Sequence, residues 1–348
     1  MHIADALLSP AVGGAMWAAT AGVAAYSIKK VKEDIDQKKI PLMGVMGAFI
    51  FAAQMINFSI PGTGSSGHLG GGLMLAILLG PYAGFLTMAS ILTIQALFFA
   101  DGGLLALGSN IFNLGLFTCF LVYPLIYKKI IGKEFSAKRI MIASIVAAVV
   151  GLQLGAFGVV LETLFSGKTE LPFGTFVLLM QPIHLAIGIV EGLVTAAVIS
   201  FVWKARPEIL EKASLNQPLG NLSLKKVMIG LAAVSVFTGA VLSWFASSHP
   251  DGLEWSMFKT SGSEELESTD PTHEKLAAVR EKTAFLPDYG FKAAEGEPAN
   301  EAAKEKWPAI NVGTSVSGLV GGSMTLLLAA FMGFLVRALG KPQKRAEQ

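Results

Sequence analysis

Charge is what this 348-residue sequence has least of: Asp, Glu, Lys and Arg make up 15% of it, against 53% hydrophobic residues, where an average soluble domain carries about 25% charged residues. The shortage is uneven. Asp5 is the one charged residue between positions 1 and 28, and Asp101 the one between 40 and 127. Stretches of that length without a solvated surface exclude a cytosolic enzyme and a nucleic-acid-binding module, so no nucleic-acid partner is expected. Cysteine is nearly absent too. The single Cys119 rules out an internal disulfide and a cysteine-based metal cluster. Net charge is only +2, from 27 Lys and Arg against 25 Asp and Glu, and that total points to no partner of either sign.

What is abundant is apolar length. Crossing ~30 Å of hydrocarbon at ~1.5 Å per residue takes about 20 residues. Hydropathy read against helix breakers predicts spans near 8–28, 41–58, 69–80, 81–99, 104–127, 139–165, 174–203, 226–246 and 313–338. The expected fold class is an all-α polytopic membrane helix bundle of about nine transmembrane helices, of which 69–80 is short and Gly-rich. Lys and Arg gather at 29–39, 128–139, 204–226 and 337–345, which hold 19 of the 27. The positive-inside rule places all four clusters in the cytoplasm. Alternating the spans from there leaves the N-terminus outside and the C-terminus cytoplasmic, in a multi-pass protein of the cell (inner) membrane. No basic region precedes the first span, so no signal peptide is expected and Met1 is expected to be the first residue of the working chain.

The chain divides into a seven-span unit at 1–204, a cytoplasmic linker at 205–225, and a two-span unit at 226–348 around an outer loop at 247–312. That loop carries 13 acidic residues against 7 basic, with the Ser/Glu/Ala/Lys bias of a poorly ordered segment. No repeat at solenoid period is visible, nor a pair of half-helices in matching positions that would mark an inverted-repeat secondary transporter.

The first two residues offer chemistry. A free α-amine, the amide nitrogen of residue 2 and the imidazole of His2 can close adjacent chelate rings around one metal, and square-planar nitrogen ligation suits Ni(II) or Cu(II). An ordinary solvated His at position 2 is the alternative. The segment Pro61–Gly72 contains Gly at six of its twelve positions, which permits close backbone approach. Irregular chain at membrane depth must line a cavity or be buried in protein, so His68 within it is a candidate to face the same site; a plain tight turn with His68 in water is the other reading. Intramembrane polar residues follow: Gln54, Asn57, Gln95, Asn110, Asn113, Gln153, Glu162, His184 and Glu191. Amides serve widely as glue between helices, whereas intramembrane ionisable groups are functional candidates by default. His184 and Glu191 are seven apart and share a helix face, which would suit pairing with a partner helix as well as a proton or ion relay. Ser166-Gly167-Lys168-Thr169 imitates the end of a phosphate-binding loop, but Glu162 stands where its first Gly is required. No nucleotide site, HExxH or Ser/His/Asp set is present, so no catalytic residues are expected and any ATPase must be another subunit. Small residues at Gly14, Ala18 and Gly22 in span one allow another helix to approach.

The start Met1-His2-Ile3-Ala4-Asp5-Ala6-Leu7-Leu8-Ser9-Pro10, the loop Gly64-Ser65-Ser66-Gly67-His68-Leu69, and the stretches Leu78–Ala83, Gln95–Gly103, Leu107–Asn113 and His184–Gly192 together resemble the CbiM/NikM family. These are substrate-binding components of energy-coupling-factor transporters for cobalt and nickel. The C-terminal part, through His249-Pro250-Asp251-Gly252-Leu253-Glu254-Trp255 and Phe285-Leu286-Pro287-Asp288-Tyr289, resembles the small CbiN/NikN component, fused here to the first. Pro-Asp-Gly is also a turn signal, so its expected job is to fix a loop against the first unit. The resemblance implies Ni2+ or Co2+ as transported substrate, held by the Met1 amine, the amide and imidazole of His2, and the His68 imidazole. It places Asp5, Asn57 and Gln95 behind these ligands, and implies a membrane scaffold component and cytoplasmic ATPases as partners within the lipid bilayer. The family usually has Gly after the acidic residue near the start, where this chain has Ala6. The competing function from the residues alone is an ion-coupled secondary metal transporter or channel that uses His184 and Glu191; a membrane enzyme lacks a catalytic set.

Overall fold

Residues 2–34, 39–132, 134–215, 217–220, 222–268, 270–292 and 307–339 are described by a computed structural model; Met1 lies outside them. In chain order the elements are α1 (Pro10–Asp34), α2 (Lys39–Gln54), a hairpin of β1 (Phe58–Ile60) and β2 (Ser65–Gly67), α3 (Gly72–Leu79) and α4 (Pro81–Phe98). There follow α5 (Leu107–Ile131), α6 (Ala137–Phe165), α7 (Phe173–Ala205), α8 (Pro207–Ser214), α9 (Lys225–Ala240), α10 (Gly252–Ser261), α11 (Pro271–Thr283) and α12 (Val312–Ala338). Six of these, α1, α4, α5, α6, α7 and α12, are long and apolar enough to cross a membrane. α2 is apolar but shorter, at 16 residues.

The expected span 69–80 takes a different form. α3 has only eight residues, about 12 Å of helix, and the chain before it is non-helical. At membrane depth non-helical backbone must find its partners inside the protein, and it does: the Gly70 and Gly71 N–H groups donate to the two carboxylate oxygens of Glu191 on α7, at 2.8 and 3.0 Å, while Gln54 Nε2 donates to Gly70 O at 2.8 Å. Glycine is required by the fit as well as by backbone angle. A Cβ on Gly67 would lie 2.4 Å from Ile187, one on Gly72 would lie 2.3 Å from Leu114 O, and Gly71 has φ +79°. Gly80, at φ +84°, then reverses the chain into α4, whose first turn accepts Pro81 without losing a hydrogen bond.

Elsewhere the helices meet where side chains are smallest, as expected where lipid supplies no hydrophobic drive between them. Added Cβ atoms on Gly188 and Gly192 of α7 would come within 2.8 and 2.4 Å of the Val149 and Ile145 Cα atoms of α6. The C-terminal part docks by the same device. Ser317, Gly321, Thr325, Ala329 and Gly333 recur at every fourth position of α12 and are all buried. This stripe lies on α2: a Cβ on Gly44 would sit 2.9 Å from Leu326 O and one on Gly333 2.9 Å from Ile40. Beside it, Gly318 approaches Gly239 of α9, where a Cβ would meet the Gly239 carbonyl at 2.5 Å.

The outer loop read from composition as poorly ordered is instead built into helices over much of its length. Asp251 caps α10 through Leu253 and Glu254 N–H, and Glu254 returns a bond to the Asp251 N–H, completing a capping box. Asp270 caps α11 ahead of Pro271. Residues 293–306 lie outside the described residues. Local capping, not average composition, decided the structure here. Hydrogen bonds join residues 2–9, 55–71, 99–106 and 241–290 at one end of the bundle; most of the described Lys and Arg of the clusters lie in the helix turns at the opposite end.

Candidate metal site

The N-terminal segment enters the bundle and is held there by its backbone. Buried Asn110 on α5 grips Ile3 from both sides: the Ile3 N–H donates to Asn110 Oδ1 at 2.8 Å and Asn110 Nδ2 donates to the Ile3 carbonyl at 3.2 Å. Gly103 N–H adds a third bond to that carbonyl at 2.9 Å. Asp5 accepts from Ala106 N–H at 3.0 Å, a carboxylate at the N-terminus of α5, where the helix dipole favours negative charge. The Ile3 side chain is fully buried. Ala6, in place of the usual Gly, sits in the short turn Asp5–Leu7 and is not among the residues of positive φ, so its methyl group is accommodated without strain. From above, His273 of α11 places Nε2 2.9 Å from the Leu8 carbonyl.

This path delivers His2 onto His68. Their rings are parallel, with centroids 4.9 Å apart and planes 8° from each other. His2 Nδ1 faces Asp101 Oδ1 at 3.1 Å, and its Nε2 is buried without a partner. His68 Nδ1 lies 3.1 Å from the Leu69 carbonyl, which fixes the proton on that nitrogen, and Nε2 lies 3.7 Å from Asp251 Oδ2. Burial pushes the His68 imidazole below its ordinary value, leaving it neutral and able to donate a lone pair. Burial works against ionisation of Asp101, yet the adjacent His2 ring and the Tyr289 hydroxyl hold it well below the usual carboxylate range.

A cavity of about 620 Å³ opens beside the two rings, walled by His2, His68, Asp101, Asp251, Glu254, Glu265, His273, Glu274, Asp288 and Tyr289 among others. Burial and the neighbouring Asp251 push Glu254 up to about 7. Among the described residues no three His, Cys, Asp or Glu side chains converge to hold a metal. The imidazoles of His2 and His68 do converge.

Asp5 and Asn110 anchor the segment; Gln95 donates to Gln54 Oε1 at 3.0 Å, and Gln54 holds the Gly70 carbonyl; Asn57 lines the cavity while its carbonyl accepts from Ser247 N–H at 2.7 Å. The imidazoles instead meet Asp101 and Asp251, with Tyr289 behind Asp101. A lone Asp in an 88-residue apolar stretch (40–127) was the available sequence signal for the first. Within the His184–Glu191 pair, Glu191 is committed to the glycine loop, while His184 Nδ1 bonds the Met180 carbonyl at 2.8 Å, one turn back on its own helix, and its Nε2 is buried with no partner among the described residues. The motif Pro250–Glu254 fixes its loop to the first unit as expected, through Ser66 N–H to the Pro250 carbonyl at 2.8 Å and Trp255 Nε1 to the Thr63 carbonyl at 3.0 Å.

Residues 2–209 match the family described as the CbiM cobalt uptake substrate-specific transmembrane region, and 225–338 match the PDGLE domain. The chain belongs to the CbiM family, fused to a NikN-type part. Among relatives of this CbiM-type chain, a putative fused nickel transport protein NikMN of Archaeoglobus fulgidus is 38% identical over 69% of this chain and 77% of its own length. A probable fused nickel transport protein LarMN of Lactiplantibacillus plantarum is 33% identical over 68% of this chain and 74% of its own. A crystal structure of a transition metal transporter superposes with TM-score 0.53 at 32% identity, covering 62% of this chain and 98% of that one. Like its relatives, this CbiM-type chain is a multi-pass membrane protein.

Proposed function

We propose that this protein is the substrate-capture subunit of an ATP-driven energy-coupling-factor importer for Ni2+, with Co2+ as the near alternative. The observation that carries the reading is the delivery of His2 onto His68 by a clamped N-terminal segment, inside an acid-lined cavity at one end of the bundle. The cation is bound as substrate by the Met1 amine, the amide and imidazole nitrogens of His2, and the imidazole of His68. Nickel is favoured by the planar nitrogen set and by three relatives named as fused nickel transport proteins. Relatives named for cobalt keep the second ion in view.

The site end faces outward and the Lys/Arg end faces the cytoplasm, by the charge asymmetry of the helix termini. Residues 1–204 form the metal-binding unit, 205–225 the cytoplasmic linker and 226–348 the two-helix unit that covers the site. With no phosphate-binding loop in the sequence, ATP hydrolysis falls to cytoplasmic partner subunits and a membrane scaffold component. The protein is not itself an enzyme. The competing secondary-transport reading loses support because the Glu191 carboxylate already accepts two backbone hydrogen bonds.

The test is metal content of protein purified without a polyhistidine tag. His2→Ala, His68→Ala or a few residues added before Met1 are each expected to lower retained nickel at least tenfold. Retention equal to wild type in all three rejects the site, and loss in His184→Ala alone favours the relay.

A further inference from the structure

In a chelate that runs from a terminal amine through the amide of residue 2, the ring nitrogen that closes the next, six-membered ring is Nδ1 of His2, the one nearer the backbone. In the structure that nitrogen is already engaged, 3.1 Å from Asp101 Oδ1, whereas Nε2 is buried without a partner. Asp101 is held in turn. Its N–H donates to the Gln95 carbonyl at 3.2 Å, and its other carboxylate oxygen accepts from the Tyr289 hydroxyl. Tyr289 belongs to the C-terminal part, and it is seated firmly: its ring stacks on Phe99 at 5.2 Å and meets Phe51 edge-on at 6.1 Å. The preceding backbone pairs with the end of α4 through Leu286 and Asp288 N–H to the Phe98 and Phe99 carbonyls, at 3.3 and 2.9 Å. Ala100, Asp288 and Tyr289, with φ of 56°, 49° and 58°, are the described non-glycine residues in left-handed backbone. All three lie at this joint, and such strained positions persist where the surrounding structure enforces them and cluster at functional sites.

We propose that Asp101 is the exchange partner of His2. It holds the Nδ1–H of the metal-free imidazole, yields that nitrogen to an arriving divalent cation and takes it back on release, and Tyr289 is the positioning residue that keeps the carboxylate within reach. The proton on Nδ1 leaves to solvent as the cation binds there and returns when the cation is released. The C-terminal part thereby acts on the ligand sphere through a hydrogen-bond chain, Tyr289 to Asp101 to His2, without touching the cation. This inference rests on the binding site proposed above.

The experiment uses full-length Asp101→Asn and Tyr289→Phe with added Ni2+ as probe. It records bound stoichiometry, the visible absorption band of the bound ion, and association and dissociation rates by stopped flow. Both variants are expected to keep wild-type stoichiometry and band position while releasing the ion about tenfold more slowly, the scale of one lost competing hydrogen bond, since the competitor for His2 Nδ1 is lost or displaced. Release rates within twofold of wild type overturn the proposal, as does a shifted band, which would make Asp101 a ligand in its own right. Thermal melting of Tyr289→Phe near wild type keeps a folding defect out of the comparison. His2→Ala separates the two levels: if it retains nickel, the site itself fails; if it loses nickel while the other two variants release normally, only the exchange role fails.

Discussion

Asn110 shows how a residue without a ligand role can decide whether a site exists. Its amide spends both ends on the backbone of Ile3, one residue from His2, so Asn110→Ala leaves the Ile3 N–H without its acceptor while the carbonyl keeps only the Gly103 N–H. Leaving that N–H unpaired costs about 1–3 kcal/mol, and it loosens the segment that carries the histidine. Nickel retention is expected to fall at least tenfold while the helical content by circular dichroism stays at the wild-type level; unchanged retention would show that the segment is held by other contacts. Glu191 separates the two functional readings. Glu191→Gln keeps one acceptor but turns an NH2 toward a glycine N–H, so the loop bearing His68 shifts and metal binding weakens. A relay role predicts the reverse, binding intact and transport lost, and equilibrium dialysis beside uptake assays in vesicles distinguishes the two. At Asp101 acid has a definite sign. Its folded value is depressed, so its contribution to stability is fully present above ~4, its ordinary value, and fades as pH falls toward the folded value. Protease cleavage within 285–290 is therefore expected to rise below pH ~4 in wild type and to lose that pH dependence in Asp101→Asn.

At the scale of elements, the long helices were legible because hydrophobic length at low charge has one interpretation in a membrane. The region 69–80 was only half legible. Its glycines marked irregular backbone, but a non-helical leg followed by an eight-residue helix depends on Glu191 and Gln54, which lie 121 and 16 residues away from Gly70 in sequence. The site divided in the same manner. His2 and His68 stood out by position and by neighbouring glycines, whereas Asp101 and Tyr289 are paired across 188 residues and no local pattern reports such a meeting. The stripe 317, 321, 325, 329, 333 on α12 was present in the sequence as a four-residue period of small side chains, and it is what seats the C-terminal part. A Cβ at Gly321 would fall 2.0 Å from Phe51 Cζ and 2.7 Å from Phe99 Cζ, the two rings under Tyr289. Gly321→Leu is accordingly expected to unseat 285–290 as well as α12. A cysteine pair at the α2–α12 contact should crosslink in wild type and lose at least half its yield in this variant; full crosslinking would mean that the helices absorb the side chain.

For the whole molecule, the two fused parts build one chamber: the first supplies both imidazoles and the second roofs them with Asp251, Glu254, Glu274 and Asp288. Its response to pH follows from which protons a cation must displace. His68 is held below its ordinary value by burial, so above pH ~6.5 it has no proton to lose and adds nothing to the pH dependence. The terminal amine and the amide of residue 2 do lose protons on chelation, and affinity that depends on deprotonated ligands climbs with pH. Glu254, pushed up to about 7 by burial and by Asp251, passes from neutral to anionic in the same window and draws cations toward the rings. Both effects have the same sign, so nickel retention is expected to rise steadily from pH 6 to pH 8. They separate by salt, because attraction across the open cavity is screened beyond about 8 Å at physiological ionic strength whereas chelation at bonding distance is not. Glu254→Gln preserves the capping box, since Gln serves at that position. It should therefore keep the rise with pH and lose the part of the affinity that falls when salt is raised from 20 to 500 mM. A flat pH profile in wild type would leave the main-chain nitrogens without a part in holding the ion.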